Sequence, residues 1–260
     1  MVRMNIFNQT QARKVANQKG EFSVIEYVKD LSVTPSTAAS AYFMGEMGVR
    51  KRQVVADLNN SGIILQAGAM QMISGNVQVA TNVQGVGGFF KGMLGGAVTG
   101  ESGIKPRYTG TGKVILEPTY KYILLEDLAN WNGGMTIEDG LFLACSDTVQ
   151  MKVTARSSFS SAVAGGEGLF NNTLYGQGIA VLESPVPADE LFVFDLDNDT
   201  LKIDGNMAIA WSQSLQFTVE RTTKTLVGSA ASGEGLVNVY RGTGEIWLAP
   251  TIKVYKAMNL

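Results

Sequence analysis

The chain has 260 residues, of which 45% are hydrophobic and 17% charged, with 21 Lys and Arg against 23 Asp and Glu. This composition is typical of a soluble globular protein, and the slightly negative net charge argues against a nucleic-acid partner because no excess of positive charge faces phosphates. Histidine is absent, which excludes Ser-His-Asp and Cys-His catalysis and zinc sites built on two histidines.

Cysteine use and hydropathy bear on location. Cys145 is the single cysteine and its setting, LFLACSDTV, predicts a buried, unmodified thiol. One cysteine cannot close an internal disulfide, which fits a reducing compartment. No segment reaches the about 18 consecutive apolar residues of a membrane span, and the N-terminus lacks an apolar signal core. We expect a cytoplasmic protein without cofactor or transition metal.

Residues 1–52 form an N-terminal extension that precedes the regular pattern of the remaining chain. Within it, TPSTAASAYFMGEM places Thr34 as a plausible N-cap and Pro35 at the first helical position. Apolar residues follow on one side, which predicts a short helix. We expect this helix to pack on the rest of the molecule.

Three similar segments follow one another: TGESGIKPRYTGTGKVILEP, GGEGLFNNTLYGQGIAVLES and SGEGLVNVYRGTGEIWLAP. Their Gly-x-Gly motifs begin at Gly110, Gly176 and Gly242, which are evenly spaced along the chain. Further upstream, ACSDTVQMKV from Ala144 and AWSQSLQFTV from Ala210 keep the same interval. A constant interval of this length, about 66 residues, indicates internal triplication.

Each copy is typical of β structure, with short apolar or alternating runs between Gly and Pro. The Gly-x-Gly lies between two such runs, where glycine permits the positive φ of a hairpin turn or bulge. No third glycine and helix follow it, which excludes a dinucleotide-binding fingerprint. We therefore predict that Gly112, Gly178 and Gly244 lie at equivalent turns, each followed by a strand.

A unit of about 66 residues would bury too little apolar surface to be stable alone. The units are therefore expected to share one core with pseudo-threefold symmetry. The sequence predicts an all-β protein in which residues 53–260 form a single domain of three β-sandwich repeats, at about 53–120, 121–186 and 187–252.

A glycine-rich insert distinguishes the first copy. The stretch from Gln78 to Gly110 is longer than its two counterparts, Gln150 to Gly176 and Gln216 to Gly242, which are equal in length. The additional residues lie within GVGGFFKGMLGGAVTG, whose apolar residues surround one lysine: Phe89, Phe90, Lys91, Met93 and Leu94. Either these side chains fold back onto their own chain, or they form an exposed contact site for a partner or an anionic lipid surface.

Acidic residues recur in two patterns. Glu101, Glu167 and Glu234 are spaced at nearly the repeat interval, so pseudo-symmetry could gather three carboxylates around a cation. The alternative, which we favour, is that each Glu belongs to its own turn, because a hard cation needs more oxygen ligands than three such turns supply.

A second acidic stretch, DLDNDTLKIDGN, has the Asp spacing that begins a calcium loop. However, Thr200 replaces the required glycine and Asn206 the bidentate glutamate. The stretch is therefore expected to be a solvated turn between strands.

As a set, LQAGAMQM, the glycine-rich insert ending in TGES, and the repeated GEGLF or GEGLV segments resemble the altered inheritance of mitochondria protein 24 family over about residues 53–250. The resemblance implies a fold like that of the trp RNA-binding attenuation protein (TRAP), with three TRAP-like units fused in one chain. It implies no reaction, ligand or catalytic residue. Because fold does not fix function and the chain is acidic, RNA binding does not follow.

Two classes of function remain. The first is a non-enzymatic scaffold or interaction protein whose insert and extension dock a protein, a second copy of the chain or a membrane surface. The second is a small-ligand-binding protein or carboxylate-based enzyme with a cleft between repeats. We expect the first, because no acid-base pair, nucleophile motif or cofactor motif is found.

Overall fold

The computed structural model describes residues 3–81, 105–155, 170–205, 207–221 and 236–251. Within them the chain is mostly β, as predicted, with one α-helix, α1 (Ala38–Glu46), and short 3-10 turns at Leu128–Asn130 and Ala188–Glu190. The strands in chain order are β1 (Lys14–Lys19), β2 (Phe22–Glu26), β3 (Arg52–Leu65), β4 (Met70–Ala80), β5 (Arg107–Leu116), β6 (Tyr122–Asp127), β7 (Met135–Ile137), β8 (Phe142–Ser146), β9 (Gln150–Ala155), β10 (Phe170–Tyr175), β11 (Ile179–Ser184), β12 (Phe192–Asp204), β13 (Ala208–Ser212), β14 (Gln216–Arg221) and β15 (Leu236–Leu248).

The strands form two antiparallel sheets. The first has the order β1-β2-β3-β8-β11-β6, with β5 also paired to β3 and β4 paired to β5. Strand β3 is long enough to meet three partners in succession: β2 along Arg52–Ala56, β5 along Val55–Ile64 and β8 along Ile63–Leu65. The second sheet has the order β12-β15-β13-β7-β10-β9, with β14 also paired to β15.

In the part of the chain that the structure describes, buried apolar side chains fall into four clusters, one of which joins the two sheets. In that cluster Leu124 and Leu182 of the first sheet pack with Ile137 and Ala210 of the second. Cys145 belongs to the same cluster and is fully buried, which confirms its predicted position. Burial raises the pKa of its thiol far above the ordinary value, so the thiolate is suppressed in the folded protein.

The Gly-x-Gly motifs do not all lie at turns, and for two of them the turn prediction is wrong. Gly110 and Gly242 lie inside the continuous strands β5 and β15, whereas Gly176 falls between β10 and β11. Strand β11 follows the second motif, whereas β5 and β15 continue through the other two. The φ angles of Gly110, Gly176 and Gly242 are positive, at 137°, 100° and 119°.

The partner strands show why glycine is required within β5 and β15. The register of β3 shifts at Asn60 and that of β12 at Asn198, so each strand bulges opposite the motif. A Cβ at Gly110 would also lie only 2.1 Å from the carbonyl oxygen of Asn76 on β4. The glycines therefore permit a bulge and a close strand approach rather than a hairpin.

Helix α1 forms as predicted, but it begins later and is more exposed. Thr37 stands at the N-cap without a side-chain bond to the helix, and Thr34 instead accepts backbone bonds from Thr37 and Ala38 in the preceding turn. No α1 residue is fully buried, although Ala41, Met44 and Gly45 are partly buried, so packing of this helix on the rest of the molecule stays a prediction. The extension also joins the β structure through β2, whose Phe22 and Ile25 are fully buried. Over the described ranges, no helix has the length and apolar content needed to cross a bilayer.

Residues 195–204 of the acidic stretch expected to be a turn lie within β12. Asp195 and Asp197 are exposed on this strand, on either side of buried Leu196. The turn prediction is wrong because residues 192–204 pair with β15 on both sides of the bulge. The described part of the chain holds no group of three Cys, Asp or Glu residues able to hold a metal ion.

Candidate functional site

The sequence-predicted site residues lie outside the described residues. The insert residues Phe89, Phe90, Lys91, Met93 and Leu94 fall within 82–104, as does Glu101, while Glu167 and Glu234 fall within 156–169 and 222–235. Each stretch connects the ends of paired antiparallel strands, namely β4 with β5, β9 with β10, and β14 with β15. The longest of these connections is therefore the one that carries the insert.

Helix α1 presents the first of two candidate sites among the described residues. Tyr42, Phe43 and Met47 are 63%, 66% and 78% exposed, and we call these three residues the α1 surface. The Tyr42 and Phe43 rings contact each other edge to face, with centroids 5.5 Å apart. Beneath the helix, Tyr42 also borders a cavity of about 530 Å³. Large exposed apolar patches are candidates for contact surfaces.

Cations beside α1 are already paired with carboxylates. Arg50 lies 3.2 Å from Glu26, and Lys51 lies 3.0 Å from Asp30. The hydrogen bond from Lys51 lowers the pKa of Asp30, and the same bond raises the pKa of Lys51. The α1 surface is therefore apolar in character rather than strongly basic.

The second candidate site is an open cavity of about 900 Å³ between the N-terminal segment and the first sheet, which we call the N-terminal cavity. Residues 3–13 form one wall, and β2 to β5 with the residues beside them form the other. The lining residues are Arg3, Met4, Asn5, Ile6, Arg13, Tyr27, Lys51, Gln53, Gln71, Met72, Ile115 and Pro118. None of these lining residues is Asp or Glu.

A chain of hydrogen bonds fixes the polar floor of the N-terminal cavity. Tyr27 donates its hydroxyl proton to Gln53 Oε1 at 2.8 Å, and Gln53 Nε2 donates to Gln71 Oε1 at 2.7 Å. Gln53 Nε2 also donates to the Leu116 carbonyl at 2.8 Å, and Gln71 Nε2 donates to Glu117 at 3.1 Å. The floor amides therefore hold fixed orientations.

Arg13 differs from the other lining residues in having an unsatisfied buried donor. Its Nη2 donates to the Asn5 carbonyl at 2.7 Å, which ties the guanidinium to the N-terminal wall. Its Nε is buried and has no hydrogen-bond partner. Such a donor has lost its hydration without compensation, which is unfavourable.

Sequence reasoning missed this cavity, although one signal was present. The first twenty residues contain Arg and Lys but no Asp or Glu. That pattern places positive charge on the N-terminal wall, but Lys51 and the floor amides come from distant positions that only the fold brings there.

One described carboxyl group has a notable environment away from both sites. Burial raises the pKa of Glu126 on β6, while Lys19 and a hydrogen bond from Trp131 oppose that shift. A raised carboxyl pKa is one property of a general acid. Glu126 does not line the N-terminal cavity.

Comparisons with known proteins establish the family. A model of the family described as mitochondrial biogenesis AIM24 matches residues 47–251. An uncharacterized protein of Streptococcus pyogenes serotype M6 is 32% identical over 204 residues, which cover 75% of this chain and 79% of that protein. A crystal structure of a Streptococcus pyogenes protein matches with a TM-score of 0.56 and 28% identity, covering 80% of this chain and 95% of that one. The resemblance found in the sequence is confirmed: the chain belongs to the mitochondrial biogenesis AIM24 family.

Proposed function

We propose that this chain is a non-enzymatic interaction protein that docks a protein partner through the α1 surface and the glycine-rich insert. The observation that carries the proposal is the exposure of Tyr42 and Phe43 on a helix with no buried residue, and of Met47 directly after it. Aromatic residues and Met are enriched at protein interfaces, and a few such anchors supply most of the binding energy.

A protein partner is favoured over a membrane surface on grounds of charge. Attraction to an anionic bilayer needs several Lys or Arg side chains whose charge is available. Beside α1, Arg50 and Lys51 are engaged by Glu26 and Asp30. Lys91 of the insert adds one positive charge. A membrane surface or a second copy of the chain remains an outcome that the experiment distinguishes.

We further propose that the β structure consists of three fused TRAP-like units related by pseudo-threefold symmetry. In support, β5 pairs with both β3 and β4, and β15 pairs with β12, β13 and β14. In the middle of the chain, two shorter strands take the place of one long strand such as β5 or β15. Of these two, β10 pairs with β7 and β9, and β11 pairs with β6 and β8.

Equivalent hydrogen bonds at the bulges also support the relation between the first and third units. The backbone N–H of Asn60 donates to Thr111 Oγ1 at 3.1 Å, and that of Asn198 donates to Thr243 Oγ1 at 3.0 Å. Thr111 and Thr243 each stand between the two glycines of their motif, and their separation in the chain is twice the repeat interval.

The competing proposal is a carboxylate-based enzyme or ligand-binding protein with a cleft between repeats. Such an enzyme needs an acid or base that can reach a bound substrate. No carboxylate lines the N-terminal cavity. Asp30 and Glu46 line the cavity beneath α1, but Asp30 is paired with Lys51 at 3.0 Å, and we therefore prefer the non-enzymatic proposal. A cytoplasmic location is part of the proposal and is supported by the single buried thiol of Cys145.

The test compares partner recovery by the full-length protein and by three variants. The first variant, Tyr42→Ser with Phe43→Ser, removes the α1 aromatics, and the second, a deletion of residues 85–96, removes the insert. The control variant is Phe192→Ser with Phe194→Ser, because these two residues on β12 are also exposed, at 57% and 39%. We expect quantitative proteomics to show one set of proteins lost from the first two variants and kept by the control. The purified partner should then bind the intact chain directly.

Two further arms separate the alternatives. Flotation with vesicles of neutral or anionic lipid tests a membrane surface, and light scattering of the pure chain tests self-association. Equal recovery of every protein by all variants, or flotation that depends on the same two aromatics, would contradict a protein-docking role for this surface.

A further inference from the structure

We propose that the N-terminal cavity binds a small amphipathic anion, a molecule with a carboxylate or phosphate head group on an apolar chain. This binding is independent of the docking role of α1. The binding involves no catalysis, and its site lies between the N-terminal segment and the first sheet.

The charge of the lining selects an anion. Arg3, Arg13 and Lys51 line the cavity, and no Asp or Glu lines it. Asp30 pairs with Lys51 from outside the lining at 3.0 Å, which leaves the other ammonium protons for additional acceptors. A concave site lined by one sign of charge concentrates ligands of the opposite sign.

Arg13 supplies the specific contact. Its guanidinium is held by the bond from Nη2 to the Asn5 carbonyl, while the buried Nε has no partner. A guanidinium presents its N–H groups in a planar fork that matches the oxygen atoms of a carboxylate or phosphate. Because solvent does not reach Nε, an oxyanion in the cavity would be bound by the guanidinium N–H groups that line it.

The remaining lining residues favour a ligand with an apolar chain. Met4 and Ile6 face the cavity from the N-terminal wall, and Met72, Ile115 and Pro118 line it from the sheet side. Met4 and Ile6 also pack against the cluster of Ile115 with Ile25 and Val55, so this wall is anchored. The volume of about 900 Å³ falls in the range of small-molecule sites.

The experiment measures binding of decanoate and decyl phosphate to the full-length protein by calorimetry, below their micellar concentrations. Decanol tests the apolar chain without charge, and inorganic phosphate tests charge without the chain. We expect both amphipathic anions to bind at one site and at least tenfold more tightly than decanol or phosphate. The tighter of the two identifies the preferred head group.

Variants locate the site. Arg13→Gln removes the guanidinium and should weaken anion binding at least tenfold. Met72→Glu adds a carboxylate to the lining and should abolish binding. Its matched control is Val79→Glu on the same strand, since Met72 and Val79 are 47% and 49% exposed and Val79 does not line the cavity. Because both positions on β4 are exposed, this pair remains informative if Arg13→Gln fails to fold.

Three results would overturn the proposal. The first is that neither amphipathic anion binds. The second is that decanol binds as tightly as decanoate. The third is that Met72→Glu and Val79→Glu bind the anions equally well. Hydrogen exchange gives an independent readout, since a bound anion should increase protection of residues 3–13 in the intact chain and not in Met72→Glu.

Discussion

Ser146 accepts a hydrogen bond at its Oγ from the backbone N–H of Ile179, at 2.9 Å, and thereby joins β8 to β11. One repeat interval later, Ser212 accepts the equivalent bond from Glu245, also at 2.9 Å. The glycine just before each donor leaves room for the serine, because a Cβ at Gly178 or Gly244 would lie 2.7 Å from the serine Cβ.

This relationship predicts that Gly178→Ala destabilises the protein by about 2 kcal/mol or more, through steric conflict with Ser146 and the positive φ of 139°. The control is Gly45→Ala within α1, where a Cβ meets nothing within 4 Å. That substitution should be neutral or stabilise by up to about 1 kcal/mol through helix propensity. Urea unfolding of both variants measures the difference, and equal stabilities would contradict the prediction.

The ion cluster at Glu26 predicts a second difference in stability. Glu26 lies 3.1 Å from Arg52 and 3.2 Å from Arg50, and the Arg52 side chain is only 9% exposed. Glu26→Gln leaves a nearly buried guanidinium without its carboxylate and should cost about 2–4 kcal/mol.

The exposed pair of Glu220 and Arg241, 2.7 Å apart with both side chains 35% exposed, provides the comparison. Glu220→Gln should cost much less stability than Glu26→Gln, because solvent screens an ion pair at the surface. If denaturant midpoints show the two substitutions to be equally costly, the burial argument does not hold.

Glu126 predicts a dependence of stability on pH. Burial raises its pKa in the folded state above the ordinary carboxyl value. The proton therefore binds the folded protein more tightly, and this contribution to stability, present at acid pH, is lost as the pH rises through the folded-state pKa.

Glu126→Gln should accordingly raise the melting temperature relative to the parent protein at pH 7–8, and the gain should disappear near pH 4. Thermal melts over this range measure it, with exposed Asp197→Asn as the control. A gain that does not change with pH would rule out ionisation as the cause.

The burial of Cys145 predicts that its thiol is protected from chemical modification. Its side chain is fully buried and its thiol pKa is raised, so a disulfide reagent should not label the folded protein and should label it stoichiometrically in guanidinium chloride. Rapid labelling under native conditions would show that the cluster between the sheets opens readily.

The insert carries a prediction of its own. Phe89→Ser with Phe90→Ser should abolish association with the partner while leaving the melting temperature nearly unchanged. A large loss of stability without loss of association would show that the insert is part of the core, and the insert should then be dropped from the docking proposal.

The sequence predicts which residues form strands better than it predicts how those strands are arranged relative to one another. Runs such as residues 179–184 and 246–248 form strands because their patterns of apolar residues and flanking Gly or Pro act locally. The glycines of β5 and β15 serve a bulge, and the distinction between a bulge and a hairpin depends on a partner strand far away in sequence. The hairpin of β1 and β2 is not among the predicted elements, although Gly20 with φ of 56° forms its turn.

The candidate sites illustrate the same limit. The sequence predicts an apolar helix near residue 40, but composition cannot say whether Phe43 faces a core or solvent, because that depends on which surface the helix meets. The N-terminal cavity depends on Arg13 and Lys51, which are distant in the chain and are brought together by the pairing of β1 with β2 and of β2 with β3.

Site-specific photo-crosslinking in living cells tests the docking proposal most directly. A benzophenone amino acid replaces Phe43 of the α1 surface in one strain and Phe192 of β12 in another, with both chains otherwise intact. We predict a discrete covalent adduct with one protein at position 43, absent at position 192 and identifiable by mass spectrometry. No protein adduct at position 43, or the same adducts at both positions, would contradict the proposal that α1 docks a protein partner.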